Sequence, residues 1–294
     1  MYHSVIIATT RRPSVLLGTI ETIEAQTVRP DEVIVSAVEP ADVPDIGPRP
    51  FAVRVIFGTR GLPCQRNAGI DALDPRSTLV TFLDDDVELS SDCFHAAREI
   101  SLRHSELLGF DAEMVADGRR NGGLTRQEAL TMLRVSATSS PSGDFELARG
   151  GLLGGNLNVR RDVLKQVRFD EELVLYGYLE DADFSLRVRK LGNVAHAKRC
   201  RYVHLAVSCG RVSGLRFGIS QIVNPFYLYK KGLLQSLRMI SYRFWLRALM
   251  ANAAGVLSPR QQRLFDRRGR LIGNVIGLMA VARNDATPSI ILKY

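Results

Sequence analysis

Three carboxylates in a row close a run of strand character, Val80-Thr81-Phe82-Leu83-Asp84-Asp85-Asp86-Val87. Apolar and β-branched residues bounded by Ser77 and by the charged triplet predict a short buried strand that presents the triplet at its C-terminal end. Carboxylates crowded there repel each other, so something positive is expected among them. Hard divalent cations such as Mg²⁺ or Mn²⁺ prefer oxygen ligands and keep positions open for water and for the phosphates of a bound nucleotide. In an open α/β sheet the C-terminal strand edge is also where ligands bind. The plainer alternative is an acidic loop capping the next helix, since Ser90 and Ser91 precede the helical pattern of residues 92 to 102.

Further stretches carry chemistry. Gly150-Gly151-Leu152-Leu153-Gly154-Gly155-Asn156 has paired glycines, which permit φ > 0 and close approach of backbone to a ligand, or else make a flexible turn before the strand at Leu157. In Tyr176-Gly177-Tyr178-Leu179-Glu180-Asp181-Ala182-Asp183-Phe184, three acids fall in the first turn of a predicted helix. The helix dipole alone favours them there. Carboxylates so placed in a cleft also serve as a general base. Arg66 and Asn67 open the helix after Gly58-Thr59-Arg60-Gly61, where free N–H groups and an arginine suit a phosphate. His204 ends a predicted strand, Arg201 to His204, a position more often structural than metal-binding.

The elements that must position these groups follow from periodicity. Ser4 to Ala8 reads as a buried strand, Pro13 to Gln26 as a helix with Val15, Leu16, Ile20 and Ile23 on one face, and Glu32 to Val35 as a second strand. Strand, helix and strand at this spacing form one crossover unit and hence a parallel pair. A third strand at Val53 to Ile56 and a helix at Cys64 to Ala72 precede the acidic triplet, so the alternation argues for a Rossmann-like sheet. No G-x-G-x-x-G follows the first strand, which weakens a dinucleotide-binding reading. Residues 104 to 150 read as a less regular insertion, with a capping box Thr125-Arg126-Gln127-Glu128, a helix through Leu133 and an exposed loop from Ser136 to Gly143.

The chain has 294 residues, 46% of them hydrophobic and 24% charged, ordinary values for a globular protein. The first strand begins at Ser4, which leaves no room for a signal peptide, and no uncharged stretch reaches the ~18 to 20 residues that span a bilayer. Four scattered cysteines without a C-x-x-C pair suggest neither zinc nor a disulfide framework, so a reducing cytoplasm is expected. The net charge of +8 conceals an asymmetry: residues 1 to 183 hold 19 Lys/Arg and 29 Asp/Glu, whereas 184 to 294 hold 20 and 2. Between Phe184 and Phe265 there is no acidic residue. An anionic partner is implied for this part: lipid head groups, a phosphorylated substrate or, as the least expected, nucleic acid; the plainer alternative is that these bases neutralise the acidic half across an interface.

In this order the motifs resemble those of the family-2 glycosyltransferases, inverting enzymes of the GT-A fold. Residues 4 to 12 resemble the family's opening strand and nucleotide-binding loop, which assigns Thr9 and Arg11 to the donor. Arg60-Gly61 with Arg66-Asn67 resembles its diphosphate-side segment, and Phe82 to Asp86 its D-x-D element. Gly154-Gly155-Asn156 with Arg160-Arg161 is similar to the acceptor-side G-G-N element, and Phe169-Asp170-Glu171 and Glu180-Asp181-Ala182-Asp183 to the F-D-E and E-D segments. The resemblance covers about residues 4 to 210. It departs at Ser36, where the family usually has an Asp that reads the nucleobase.

The resemblance implies an α/β fold with a mixed, mainly parallel sheet flanked by helices, and a metal-assisted transfer from a nucleotide-diphosphate sugar to a hydroxyl. Asp86, with Asp84 and His204, would hold Mn²⁺ or Mg²⁺. Asp84 and Asp85 would also lie near the ribose or a metal-bound water, and Arg66 near the diphosphate. Gly154, Gly155, Asn156 and Glu180 would meet the acceptor, and Asp181, with Asp183 in reserve, would act as general base. The acid clusters are thus expected to converge on one sugar. A catalytic domain is expected over 1 to 210, divided at about 103 into a nucleotide-sugar half and an acceptor half.

Residues 211 to 294 are expected to form a basic helical subdomain. Leu233, Leu237, Ile240, Phe244 and Ala248 share a helical face rimmed by Lys230, Lys231, Arg238, Arg243 and Arg247. The subdomain is expected to pack on the catalytic domain and to lie on the anionic inner surface of a membrane, with a lipid-linked glycan or nascent polysaccharide as acceptor; the plainer alternative is a basic-rimmed packing helix. Two rival readings are a sugar-phosphate nucleotidyltransferase, which would want a glycine-rich, lysine-bearing loop where Ala8 to Arg12 stands, and an inactive module binding membrane or nucleic acid. The second does not readily account for carboxylates at both foci.

Overall fold

The structure, a computed structural model, describes residues 1–120, 122–138, 143–207 and 212–294. The expected border at residue 210, Cys209 and the middle of the loop predicted from Ser136 lie outside them. The chain forms two compact units: Met1–Arg60, Cys64–Phe169 and Phe184–Gly210 make one; Gly61–Pro63, Asp170–Asp183 and Arg211–Tyr294 make the other.

Up to His204 the chain runs β1 (Tyr2–Ala8), α1 (Pro13–Glu24), β2 (Glu32–Ala37), β3 (Ala52–Phe57), α2 (Leu62–Asp71), β4 (Ser77–Leu83), β5 (Val87–Leu89), α3 (Cys93–Arg103), β6 (Leu107–Asp117), α4 (Arg126–Ala137), β7 (Phe145–Leu147), β8 (Asn156–Arg160), α5 (Glu180–Arg189) and β9 (Asn193–His204), all in the first unit except the first residues of α2 and of α5. Among the described residues nine strands form one mixed, mostly parallel sheet, ordered β3-β2-β1-β4-β8-β6-β9-β5 with β7 paired to β9. The predicted parallel pair is present, with Ser4 opposite Glu32 and Ala8 opposite Ser36. Both faces of the sheet are covered, which explains why β1, β2 and β4 read as nearly continuous apolar runs. Val5, Ile7, Val33, Val35 and Leu83 pack with Leu16 and Ile20 of α1 and Phe94 of α3. Ile6, Ile34, Val80 and Phe82 point the other way, with Leu157, Ile70 of α2 and Phe184 of α5. Phe82 meets Phe169 edge-on at 4.8 Å, and Phe169 stacks on Phe184 at 4.2 Å. Truncating a phenylalanine so placed costs roughly 3–5 kcal/mol.

Two strands differ from the sequence reading. The irregular stretch after residue 104 contains β6, eleven residues long, and the strand expected over 201–204 begins at Asn193. Gly109 and the buried Asp111 interrupt the apolar pattern of β6, and its register on β9 shifts at three places. Space at Gly109 is tight, since a Cβ there would come 3.1 Å from the Asn158 carbonyl oxygen. Asp111 is satisfied by the Leu153 N–H and His196 Nδ1, both at 2.8 Å. The capping box at Thr125 forms as predicted, but α4 runs on to Ala137, through the start of the predicted loop.

The second unit contains α6 (Gly214–Lys230), a continuous helix made of α7 (Leu237–Ile240), a π-helical stretch (Ser241–Leu246) and α8 (Arg247–Val256), then α9 (Pro259–Phe265) and α10 (Arg267–Ala282). Helices α6 and α10 cross closely through small residues: a Cβ on Gly273 would come 2.2 Å from the Leu215 carbonyl oxygen. Asn274 donates to the Gly218 carbonyl at 2.8 Å and accepts from Asn252 at 2.7 Å. Ile219, Val223, Phe226, Ala280 and Ile290 form its core. Of the face predicted to be apolar, Ile240 and Ala248 are buried, whereas Leu237 is exposed. Lys231 does not rim that face; it is ion-paired to Asp170 and Asp183. Among the described residues no helix is long and apolar enough to cross a membrane.

Candidate functional site

The strand order brings distant residues to the end of β4. Its neighbour β8 is antiparallel, Leu83 faces Asn156, and the Asp84 N–H extends the ladder to the Gly155 carbonyl at 3.1 Å. The G-G-N stretch therefore lies beside the aspartates. Strand β5 pairs Val87 with His204, and β6 pairs Asp117 with His204, so the end of β9 stands next to the triplet as well.

Each aspartate has different surroundings. Asp84 is about a third exposed and accepts from Arg66 Nη2 at 3.2 Å. Asp85 is buried, accepts from Thr9 Oγ1 at 2.7 Å and pairs with Arg12 at 2.5 Å. Burial pushes its carboxyl up to about 7 against the pull of Arg12. Asp86 accepts from the Val207 N–H at 3.0 Å and from Arg12 Nη1 at 3.2 Å, and lies 3.3 Å from His204 Nε2. Burial pushes Asp86 up, but the hydrogen bond and charge of His204, followed by Arg12, outweigh it and hold the carboxyl below its ordinary range.

His204 is clamped on both sides. Its Nδ1 lies 3.0 Å from Asp117 Oδ1 and its Nε2 faces Asp86. Burial disfavours the imidazolium, yet the hydrogen bonds to Asp117 and Asp86 outweigh it and push its pKa up to about 10. Asp117 is itself held far below the carboxylate range: burial raises it, and His204 and Arg119 more than offset that. The carboxylates thus hold a positive charge at Nε2, either a proton or a metal ion in its place. Asp84, Asp86 and His204 each offer a ligand atom, all within 4.8 Å of one another. Two carboxylate oxygens and one imidazole nitrogen fit a divalent transition ion such as Mn²⁺, and Asp117 behind the imidazole is the outer carboxylate that orients metal-bound histidines.

Several residues expected to meet ligands have their polar atoms engaged inside the fold. The Thr9 hydroxyl serves Asp85, and Arg11, at φ 57°, is exposed and donates its backbone N–H to the buried Asp42. Arg66 is 1% exposed, lies over Phe169, and binds Asp84 and, at 2.8 Å, the Gly154 carbonyl. The Asn156 side chain is buried between Asn158 and Cys93. Neither Gly154 nor Gly155 has a positive φ; Gly155 answers to space, since a Cβ would come 2.8 Å from the Tyr202 hydroxyl. Ser36 is wholly buried.

In the second unit, Glu180, Asp181 and Asp183 open α5, as predicted. Glu180 is buried and Asp181 partly exposed, its Oδ1 accepting the Ala182 N–H at 2.8 Å. Asp183 is wholly buried and ion-paired to Lys231. The segment leading into the turn is strained, with Leu175 at φ 59° and Leu179 at 70°, both left-handed.

Sequence reasoning missed Arg12, Asp42, Asp117 and Lys231. Arg12 alone had a local signal: a second basic residue following Arg11 in the loop after β1, of the charge that the triplet demands. The others become partners only through pairings many residues distant.

No family model and no curated protein matches the sequence. Solved structures do. Mannosyltransferase PcManGT from Pyrobaculum calidifontis, in complex with GDP-Man and Mn²⁺, superposes with a TM-score of 0.52 at 14% identity, covering 99% of this chain and 77% of that one. S. aureus TarS 1-349 in complex with UDP-GlcNAc gives 0.51 at 14%, covering 97% and 92%. A longer S. aureus TarS structure is matched over 44% of its length, at a TM-score of 0.48 and 16% identity. The chain shares the fold of a mannosyltransferase.

Proposed function

We propose that the chain is an inverting glycosyltransferase of the family-2 type, moving a sugar from a nucleotide-diphosphate sugar to a hydroxyl of a glycan or lipid-linked acceptor. The observation that carries this reading is the Asp84, Asp86 and His204 cluster, backed by Asp117, at the ligand-binding edge of a sheet whose structural neighbours hold GDP-Man with Mn²⁺ and UDP-GlcNAc.

Asp86, Asp84 and His204 would hold a divalent ion, Mn²⁺ by donor type. When bound, such an ion neutralises the charge that gathers on a departing diphosphate. The chain's own residues do the rest. Arg12 and Thr9 fix Asp85, and through Arg12 also Asp86. Arg66 steadies Asp84 and ties it to the Gly154 carbonyl, where the glycine-rich loop meets the strand end. In this reading Arg12 and Arg66 maintain the acidic site from within, and Thr9, Arg11 and Asp85 shape the donor loop through their backbone and buried contacts.

Asp181 is the general base in this reading: it accepts the proton of the acceptor hydroxyl as that oxygen attacks the anomeric carbon and the diphosphate leaves, which inverts the configuration. Base assistance of this kind is worth typically ~10²- to 10⁴-fold. Its partial exposure suits it, whereas Asp183, buried against Lys231, does not suit the same task. Glu180 and the backbone at Gly154 and Gly155 are assigned to the acceptor side. We further assign the basic second unit to an anionic membrane surface, in keeping with a lipid-linked acceptor and a cytoplasmic site of action.

The test is a panel of nucleotide sugars incubated with the chain, with Mn²⁺, with Mg²⁺ and with chelator. Release of nucleoside diphosphate that requires metal is expected from at least one donor, and NMR of the product should show an inverted anomeric centre. No metal-dependent release from any donor, release of pyrophosphate, or a retained anomer would overturn the assignment; pyrophosphate would favour the nucleotidyltransferase.

A further inference from the structure

One stripe along α6 is devoted to the segment that precedes α5. Asn224 donates to the Tyr178 carbonyl at 2.8 Å. Three residues on, the Tyr227 hydroxyl donates to Asp170 Oδ2 at 2.8 Å. Seven residues on, Lys231, at the C-cap of α6, places its Nζ 2.6 Å from the same Asp170 oxygen and pairs with Asp183 Oδ1. Positions i, i+3 and i+7 lie on one helical face, so a single face grips the F-D-E segment, the loop and the first turn of α5.

The charges explain why a lysine stands there. Asp183 is wholly buried and Asp170 only 16% exposed, so two carboxylates in low dielectric share one ammonium. Removing that ammonium would take away the cation that faces both, and buried carboxylates that lose their shared counter-charge move apart or take up protons. Asp181 sits on the same turn, two residues before Asp183. The left-handed leucines at 175 and 179 point the same way, because such conformations persist only where surrounding contacts over-determine them.

We infer that Lys231 is a positioning residue: by joining Asp170 to Asp183 it fixes the turn that carries Asp181, and so aims the acceptor-activating carboxylate without touching substrate. This rests on the reading of Asp181 as the general base. Asn224 and Tyr227 complete the same grip.

The experiment compares Lys231→Met, Lys231→Arg, Asn224→Ala and the double variant Lys231→Met with Asp183→Asn, all in the full chain. Lys231→Met is expected to lower kcat about 10- to 100-fold, the scale of a misplaced reacting group. The KM for donor and the affinity for Mn²⁺ should stay within about twofold, with kcat taken per folded chain by circular dichroism and urea unfolding, because an unfolded fraction would also lower apparent kcat at constant KM. Lys231→Arg should recover most of the loss, because a guanidinium can serve both carboxylates, and the double variant part of it, because the buried charge is gone. A folded Lys231→Met chain with unchanged kcat, or with its loss confined to donor KM, would overturn the inference. Should Lys231→Met fail to fold, Asn224→Ala decides: kcat lowered severalfold at constant donor KM supports the grip, and unchanged kcat removes it. A wild-type chain that transfers no sugar overturns the underlying reading before any variant is made, so the two failures are distinct.

Discussion

Asp117 Oδ1 lies 3.0 Å from Nδ1 of His204, and this contact decides that Nε2 is the nitrogen turned toward Asp86. An orienting carboxylate of this kind affects metal affinity roughly 10- to 100-fold. Asp117→Ala is therefore expected to weaken Mn²⁺ binding by that factor, and Asp117→Asn by less, since the amide oxygen still accepts from Nδ1–H. Titration followed by the EPR signal of free Mn²⁺ measures both. Equal affinity in wild type and Asp117→Ala would show that the imidazole is not a ligand.

Asp181→Asn keeps the shape of the first turn of α5 and removes its basicity. Transfer should fall about 10²- to 10⁴-fold. The unfolding midpoint should move little, because Asp181 is partly exposed and its Oδ1 accepts the Ala182 N–H, a bond that an amide oxygen also makes. Undiminished transfer by this variant would move the base elsewhere.

The parts of the fold that were legible in the sequence are those set by neighbours in the chain. Strand β1, Pro13 at the start of α1, β2 and the apolar run into Asp84 each declare themselves within a dozen residues. So does the capping box at Thr125. What was illegible depends on pairing over long separations. Strand β6 is a strand because β8 and β9 flank it, although Gly109 and Asp111 spoil its alternation. The site followed the same division. The acidic triplet could be read as a unit, but its differentiation could not: Arg12 reaches it from the loop between β1 and α1, Arg66 from α2 and His204 from β9, turning three like residues into a partly exposed, a buried and a clamped one. Lys231 read as one more base on an amphipathic helix, and only the chain's return past Asp170 and Asp183 reveals its pairing.

His3 makes acid stability predictable. It is wholly buried, its Nε2 lies 2.7 Å from Thr81 Oγ1, and the Thr81 hydroxyl proton is spent on Asn158 Oδ1 at 2.6 Å. Nε2 must then be the protonated nitrogen, leaving Nδ1 bare, with no hydrogen-bond partner. Burial, helped by Arg98, lowers the pKa from 6.5 to about 3. The native state thus refuses a proton that the unfolded chain accepts below about 6.5, so this contribution to stability is complete at neutral pH and is lost as pH falls toward 3. The slope is at most about 1.4 kcal/mol per pH unit. His3→Gln should lose about 0.5–1.5 kcal/mol at pH 7 through the missing ring contact with Phe94, yet show a shallower decline on acidification. Urea unfolding at pH 7, 5 and 4 compares the two; parallel declines would clear His3 of the effect.

The surface of the second unit predicts where a membrane would bind. Along the continuous helix from Leu237, the residues Tyr242, Leu246 and Met250 recur every four positions and are 62%, 44% and 62% exposed. Arg238, Arg243 and Arg247 are exposed on the same helix, and no acidic residue occurs between 184 and 265. Apolar side chains rimmed by arginines, without carboxylates to repel a phosphate surface, suit the headgroup region of an anionic bilayer. This stripe differs from the face read from sequence, whose Ile240 and Ala248 are buried. The chain should therefore float with vesicles of phosphatidylcholine containing about a third phosphatidylglycerol and not with phosphatidylcholine alone, and raised salt should weaken the association. Leu246→Glu with Met250→Glu should reduce recovery at least about tenfold, since each change removes apolar contact and adds repulsion. Arg243→Glu with Arg247→Glu should do the same, at roughly 1 kcal/mol for each basic residue lost. Equal recovery with both vesicle types, or indifference to all four substitutions, would remove the membrane from the account and leave the basic charge to the acceptor itself.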